Sequence, residues 1–222
     1  MDTKEQIKEI KKQFRLFMNG VVSQSMREKG LDYKLNFGIE VPRIKEIAAK
    51  YEKNHDVAQA LWKENIRECK ILAGLLQPVE TFYPEIADIW VEDMHYPEIA
   101  DLTCMNLFQH LPYASEKAFQ WIADEGEYFQ YCGYMMLARL LMQGNEMNER
   151  AENELIDQAL AALQSEGALV CRGASTALRR YASQCPENAK KLLKILRPLA
   201  DSDKSSLKAL VEDIKLEAES LH

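Results

Sequence analysis

One carboxylate in this sequence stands where chemistry could be done. Asp101 belongs to Pro97-Glu98-Ile99-Ala100-Asp101, which opens an otherwise apolar stretch, PEIADLTCMNLF. An aspartate in the first turn of a helix can serve the helix dipole and face solvent. It can equally line a binding surface, where a carboxylate stabilises a developing cation electrostatically. Both readings are open on these residues alone. The other chemistry-bearing residue types are not arranged for work. Four histidines (His55, His95, His110, His222) are scattered, and none forms HExxH or another ligand spacing. There is no P-loop and no GxGxxG. No metal and no cofactor is therefore expected, and the motif-bearing hydrolases and dehydrogenases are disfavoured.

Any such carboxylate must be positioned by helices. Gly and Pro number only 9 and 7 in 222 residues, which disfavours a turn-rich β protein. Ala, Leu, Glu, Lys and Gln dominate long stretches, and these are good helix formers. The first helix is predicted near Thr3, with Thr3 and Gln6 as a capping box. Gly20 is expected to bend or end it, and Gly30 to end the next helix. Residues Leu31 to Val41 read as a loop. Pro42 fits the first position of a helix over Arg43–Tyr51. Asn54 caps a short helix through Trp62.

From Ile66 onward the pattern repeats. Predicted helices cover Ile66–Leu76, Pro84–Met94, Pro97–His110, Ser115–Asp124, Glu127–Met142, Met147–Ser165, Leu169–Gln184, Asn188–Leu199 and Ser205–Leu221. The second helix of each pair is apolar, with small residues for close packing, and carries one cysteine, at 69, 104, 132 and 171. The intervals of 35, 28 and 39 residues match helix-pair repeats of the HEAT-like kind. The fold read from this is all-α: a HEAT-like repeat superhelix, an α-solenoid of stacked antiparallel helix pairs with a concave groove. It forms one domain over 1–222, with N-terminal helices in 1–30, repeat pairs in 42–200 and a capping helix in 203–222. A globin-like or bundle packing of the same helices is the alternative. The hexapeptide YPEIAD occurs twice, at 83–88 and 96–101, and reads as two helix starts with proline first and acids in the first turn.

Charge sorts the chain into zones. The net charge is −7. Between Pro78 and Phe129 eleven acids accompany a single Lys or Arg, Lys117. Between Ala168 and Ala200 the balance reverses, with Arg172, Arg179, Arg180, Lys190, Lys191, Lys194 and Arg197 against Glu187 alone. No apolar run approaches the ~18 residues that cross a membrane, and the charged N-terminus lacks a signal peptide's apolar stretch. The fifth cysteine is Cys185; five is odd and no two form CxxC, which reads as reduced, largely buried thiols in a cytoplasmic protein.

An ordered set of motifs resembles the AlkD family of DNA alkylation repair proteins. It comprises Phe37-Gly38-Ile39 with Val41-Pro42, then Ile44, Ile47-Ala48, Leu61-Trp62, Glu68 and Ala73-Gly74-Leu75-Leu76. The late segment Gly173-Ala174-Ser175-Thr176-Ala177-Leu178-Arg179-Arg180-Tyr181 resembles the family's late helix with its ALR-x-Y core. The resemblance runs from about Ile7 to Leu199. It implies a HEAT-like solenoid that holds duplex DNA in its groove and excises N3- or N7-alkylated purines without flipping the base, unlike most glycosylases. An aspartate stabilises the oxocarbenium-like sugar, aromatic residues contact the nucleotide backbone, and basic residues hold phosphates.

Carried across, the catalytic aspartate of the family's W-D-x-x-D element corresponds to Asp101. Its tryptophan is replaced by Pro97, with Tyr96 adjacent. The late tryptophan is replaced by Thr176. A mid-groove arginine corresponds to Cys132-Gly133, and Arg139 follows about two helical turns on. Arg172 and Arg179 match basic positions of the late helix, and Arg180 neighbours them. The resemblance thus implies a duplex-DNA partner, with weak or absent glycosylase activity because both tryptophans are missing. The competing expectation is a non-catalytic HEAT-like adaptor that binds a protein or peptide, favoured by the acidic charge and by Tyr128, Phe129, Tyr131 and Tyr134.

Overall fold

The computed structural model describes residues 2–199 and 205–220. Ala200 and Leu221, which bound two predicted segments, and His222 lie outside them. The chain packs as two compact units, Met1–Pro112 and Tyr113–His222. The first holds α1 (Thr3–Leu16), α2 (Gly20–Glu28), α3 (Val41–Ala48), α4 (His55–Trp62), α5 (Arg67–Leu76), α6 (Pro84–Glu92) and α7 (Pro97–Asn106). The second holds α8 (Ala114–Ile122), α9 (Glu127–Met142), α10 (Glu149–Gln164), α11 (Ala168–Ala182), α12 (Pro186–Leu196) and α13 (Ser205–Ser220). Among the described residues, β structure is limited to an isolated bridge between Leu35 and Ile66.

The packing shows the predicted pairing for the helices of Cys69, Cys132 and Cys171, whereas α7, which carries Cys104, packs on α5 and not on α6 as expected. Consecutive helices pair: α4 with α5, α8 with α9, α10 with α11 and α12 with α13. The second helices also stack in rows, α3, α5 and α7 in the first unit and α9, α11 and α13 in the second. Within each unit the paired helices thus bury their apolar stripes against each other and against the neighbouring row, which is how a HEAT-like array builds its core. Close approach explains one small residue directly. A Cβ on Gly133 of α9 would lie 2.8 Å from the carbonyl oxygen of Ala118 and the amide of Ile122, both backbone atoms of α8. The first unit is filled by aromatics: Trp62 and Trp90 stack at 4.0 Å, and Phe82 meets Trp90 edge-on at 4.8 Å. Cys69, Cys104 and Cys132 are buried thiols, while Cys171 and Cys185 are half-buried.

Several helix ends differ from expectation, each for a local reason. Thr3 does not cap α1. It is the first helical residue, and Asp2 is the N-cap with no side-chain bond. Gly20 does not end the first helix, which stops at Leu16; Gly20 opens α2 behind the cap of Asn19, whose side chain accepts from Val22 N. Pro42 is the second residue of α3 rather than the first. That helix stops at Ala48, and Lys50 and Tyr51 continue only as turns bonded to Ile47 and Ala48. The predicted helix through His110 ends at Asn106, because Leu107 leaves helical geometry (φ −130°) before a 3-10 turn at Phe108–His110. Pro186, not Asn188, opens α12, where a missing N–H costs nothing. Both copies of YPEIAD begin helices with proline first and tyrosine as N-cap.

Candidate functional site

The segment that positions Asp101 starts in the loop between α2 and α3. Gly38 has φ +69°, and a Cβ there would lie 2.3 Å from Asn19 O and 2.6 Å from Ser23 N. The loop therefore presses against the start of α2 in a way only glycine allows. Asn19 N donates to Phe37 O at 2.8 Å, Ser23 Oγ donates to Asn36 O at 2.7 Å, and Asn36 Oδ1 accepts from Gly38 N at 2.8 Å. On its other side the loop closes on α5. The amides of Phe37 and Ile39 donate to the two carboxylate oxygens of Glu68, at 3.1 and 3.2 Å. Glu68 is wholly buried. The glycine loop and the glutamate of α5, two motifs of the family resemblance, are thus one structural joint.

Arg67 carries that joint to α7. Its guanidinium is 2% exposed. It donates through Nη1 to Ile39 O at 2.8 Å and to Glu68 Oε1 at 3.2 Å. Through Nε and Nη2 it holds both carboxylate oxygens of Glu98, at 2.7 and 2.5 Å. Burial works against the charge on Arg67, but the hydrogen bonds and field of Glu98 and Glu68 outweigh it and hold its pKa above the ordinary value. Glu98 is in the first turn of α7. Tyr96 caps that helix, and its hydroxyl accepts from Asp32 N at 2.7 Å while its ring lies 4.6 Å from that of Tyr33. The Tyr33 hydroxyl is buried without a hydrogen-bond partner among the described residues, and burial pushes its pKa up.

Asp101 lies one turn beyond Glu98. The first turn of α7 holds Glu98 as its acid, so Asp101 is in the second turn and not, as expected, in the first. It is half-buried on a half-exposed stripe that also includes Glu98, Leu102 and Met105, while Ile99, Ala100, Thr103 and Cys104 face the core. Pro97, where the resemblance puts a tryptophan, is the first residue of the helix. Sequence reasoning singled out Asp101 and Tyr96 but missed Arg67 and Glu98. The available signal was a charged Arg-Glu pair at the start of an otherwise apolar helix.

The predicted basic residues belong to the second unit. Arg172 lies across Tyr131, its guanidinium carbon 4.8 Å from the ring centroid and Nη2 donating to the Tyr131 hydroxyl. Tyr131 is fully buried, so the exposed arginine is anchored to the core. Seven residues on, Arg179 pairs with Asp213 Oδ2 of α13 at 3.1 Å. At 100° per residue the two arginines share one stripe of α11 with Thr176. The Thr176 hydroxyl donates to Arg172 O at 2.7 Å, turned onto its own helix. Arg180 faces elsewhere. It lines a cleft of about 700 Å³ with Glu146, Glu152 and Asn188. Arg139 is half-buried in the last turn of α9, its Nε buried without a hydrogen-bond partner among the described residues. The position Cys132-Gly133, where the resemblance expects an arginine, is sealed within the α8–α9 contact. Tyr131 and Tyr134 are core residues, and Tyr128 and Phe129 are half-buried. Among the described residues no cluster of three His, Cys, Asp or Glu could hold a metal ion, and no helix is long and apolar enough to cross a membrane.

No curated protein matches the chain. Among solved structures, one described as a new family of proteins related to the HEAT-like repeat DNA glycosylases, with affinity for branched DNA structures, superposes with a TM-score of 0.80. It is 19% identical, over 99% of this chain and 95% of that one. An engineered protein matches at a TM-score of 0.42 and 16% identity, over 82% and 85% of the two chains. The family model of the DNA alkylation repair enzymes matches residues 4–210. With the HEAT-like repeat fold and a match over nearly its whole length, the chain belongs to the DNA alkylation repair enzyme family.

Proposed function

We propose that this protein binds duplex DNA through the stripe of α11 that carries Arg172 and Arg179, and that its excision of alkylated purines is slow and depends on Asp101. The observation that carries the DNA reading is the anchoring of Arg172. A guanidinium held 4.8 Å from the ring centroid of a buried tyrosine, and donating to its hydroxyl, has little freedom left to lose when it meets a phosphate, and Arg presents a planar fork suited to that group. Arg179 lies about 10.5 Å further along the same stripe, at 1.5 Å per residue. Lys190, Lys194 and Arg197 add exposed cations on and just after α12. The structurally similar protein with affinity for branched DNA makes a four-way junction a second natural substrate to test.

In this reading the alkylated purine is already a cationic leaving group. The C1′–N bond breaks with its electron pair going to the base, and the sugar becomes an oxocarbenium-like cation. The Asp101 carboxylate stabilises that cation. Water then adds to C1′ and gives up a proton. Pro97 and Thr176 offer no aromatic surface to hold the nucleotide, and a misplacement of ~1 Å costs ~100-fold in rate. That is why excision is read as slow. We read the compartment as cytoplasmic because the cysteines are odd in number, form no CxxC, and three of them, Cys69, Cys104 and Cys132, are buried in the core.

Anisotropy titrations of linear duplex and four-way-junction DNA across a range of salt test the binding. Affinity that falls steeply with salt supports the reading. Failure to bind either DNA at low ionic strength sinks it.

A further inference from the structure

We infer that the first unit associates with a second copy of this chain, the turn between α1 and α2 of one copy seating against α6 of the other. Nine large apolar side chains are exposed among the described residues, and five of them cluster at this turn: Leu16 (75%), Met18 (60%) and Val21 (81%), with Phe17 (36%) and Leu35 (37%) about one-third exposed. Met18 and Leu35 also line a shared cleft of about 390 Å³ with Arg27. An exposed apolar cluster of this kind on a folded protein marks a contact surface. Its surroundings are basic. Residues 1–53 hold 12 Lys and Arg against 8 Asp and Glu. Arg43, which also pairs with Glu46, lies over the Phe17 ring at 4.8 Å, and Arg15 is exposed beside Leu16.

The complementary surface is on the same unit. Two more of the nine exposed apolar side chains, Tyr83 (61%) and Ile89 (60%), belong to the N-cap and outer face of α6. Glu85 and Glu92 are exposed on either side of Ile89, at helical spacing that puts all three on one stripe. From Pro78 to Asp93 the chain has five acids and no Lys or Arg. Ile89 also borders a cleft of about 580 Å³ lined by the stacked Trp62 and Trp90, whose cation Lys70 is already tied to Asp93. An exposed apolar turn with basic neighbours therefore has its match in an apolar and acidic helix face. Both belong to one polypeptide, and contact of two different patches between copies is a heterologous interface.

Sedimentation velocity on the whole protein, without DNA, tests this, so its outcome is independent of the DNA reading. Met18→Asp and Ile89→Asp each place a charge at a position already 60% exposed, which leaves the fold intact, as circular dichroism will verify. The wild type is expected to self-associate with rising concentration, more weakly at about 1 M salt, where the Debye length is about 3 Å. Each variant alone should associate about tenfold more weakly or worse. An equimolar mixture should form a one-to-one pair, because it retains one intact turn and one intact α6 face. A wild type that stays monomeric to about 1 mM overturns the inference. So does an effect of one variant without the other, or a mixture that fails to pair.

Discussion

Arg67 holds Glu98 by both carboxylate oxygens, at 2.7 and 2.5 Å, and this fork ties α5 to the first turn of α7. The arginine is buried, the glutamate partly open to solvent, and Glu68 adds a second carboxylate from within, whose surplus charge is met by the amides of Phe37 and Ile39. Removing one member of a buried ion pair leaves its partner uncompensated. Arg67→Ala is therefore expected to destabilise the first unit by about 3–5 kcal/mol. Urea denaturation checks this through a lowered midpoint. Glu98→Gln, which keeps an acceptor for the fork, should cost clearly less; an unchanged midpoint in Arg67→Ala would show that the pair does not anchor α7.

Gly38→Ala should also cost stability, by another route. The residue has positive φ, where a side chain is strained by about 1–2 kcal/mol, and the added Cβ would meet Asn19 O and Ser23 N. Both neighbours are backbone atoms of the α2 start and cannot rotate away. A thermal melt should show the loss. Gly30→Ala is the control, since its φ is +90° and a Cβ there would have nothing within 4 Å. Gly38→Ala must be worse than Gly30→Ala if close packing, and not φ alone, is what selects glycine.

The duplicated YPEIAD shows how much could be read in advance. That both copies start helices was legible, because proline, acid and apolar spacing are local signals. Their different fates were not. Tyr83 is exposed while Tyr96 is held by Asp32 and Tyr33; Glu85 is exposed while Glu98 is gripped by Arg67. The partners that separate them lie 31 to 64 residues away in the chain, beyond the reach of periodicity. The same limit applies to the arginines. Their clustering along the late helices is plain in the sequence, but nothing there says that Arg172 leans on Tyr131 or that Arg180 turns into an acidic cleft.

Thiol chemistry follows from burial. Burial pushes Cys69 from its ordinary 9.0 up to about 12, so it should resist a disulfide-exchange reagent at pH 8. Cys171 and Cys185, half-buried, should react first, and all five only on unfolding. The sign of the pH effect follows. The thiol ionises earlier in the unfolded chain, so its contribution to stability is complete below pH 9.0 and is lost as pH rises towards about 12. Rapid labelling of three or more thiols in the native protein would contradict this.

The two faces of α11 predict unequal effects on DNA binding. Arg172→Ala should weaken binding across sequences and reduce the salt slope by about one ion. Arg179→Ala should act in the same direction but less, because Arg179 already shares its charge with Asp213. Arg180→Ala should leave the slope unchanged, since that side chain lines the cleft with Glu146 and Glu152. Equal losses from all three would mean that bulk charge, and not the Arg172–Arg179 stripe, attracts DNA.

Asp101 gives the sharpest separation of binding from chemistry. Asp101→Asn keeps the size and polarity of the side chain on the half-exposed stripe of α7, but removes the charge that would face a sugar cation. Release of 7-methylguanine from alkylated duplex should therefore fall by about 100-fold or more, the loss usual when a preorganised electrostatic group is removed. Affinity for unmodified duplex should hold or rise slightly, because a negative charge has been withdrawn from a surface that meets phosphates. Single-turnover kinetics with enzyme in excess distinguish the two effects, since the rate then reports bond cleavage and not product release. If the wild type and Asp101→Asn release base at the same rate, the carboxylate takes no part in bond cleavage, and the residual excision comes from groups elsewhere.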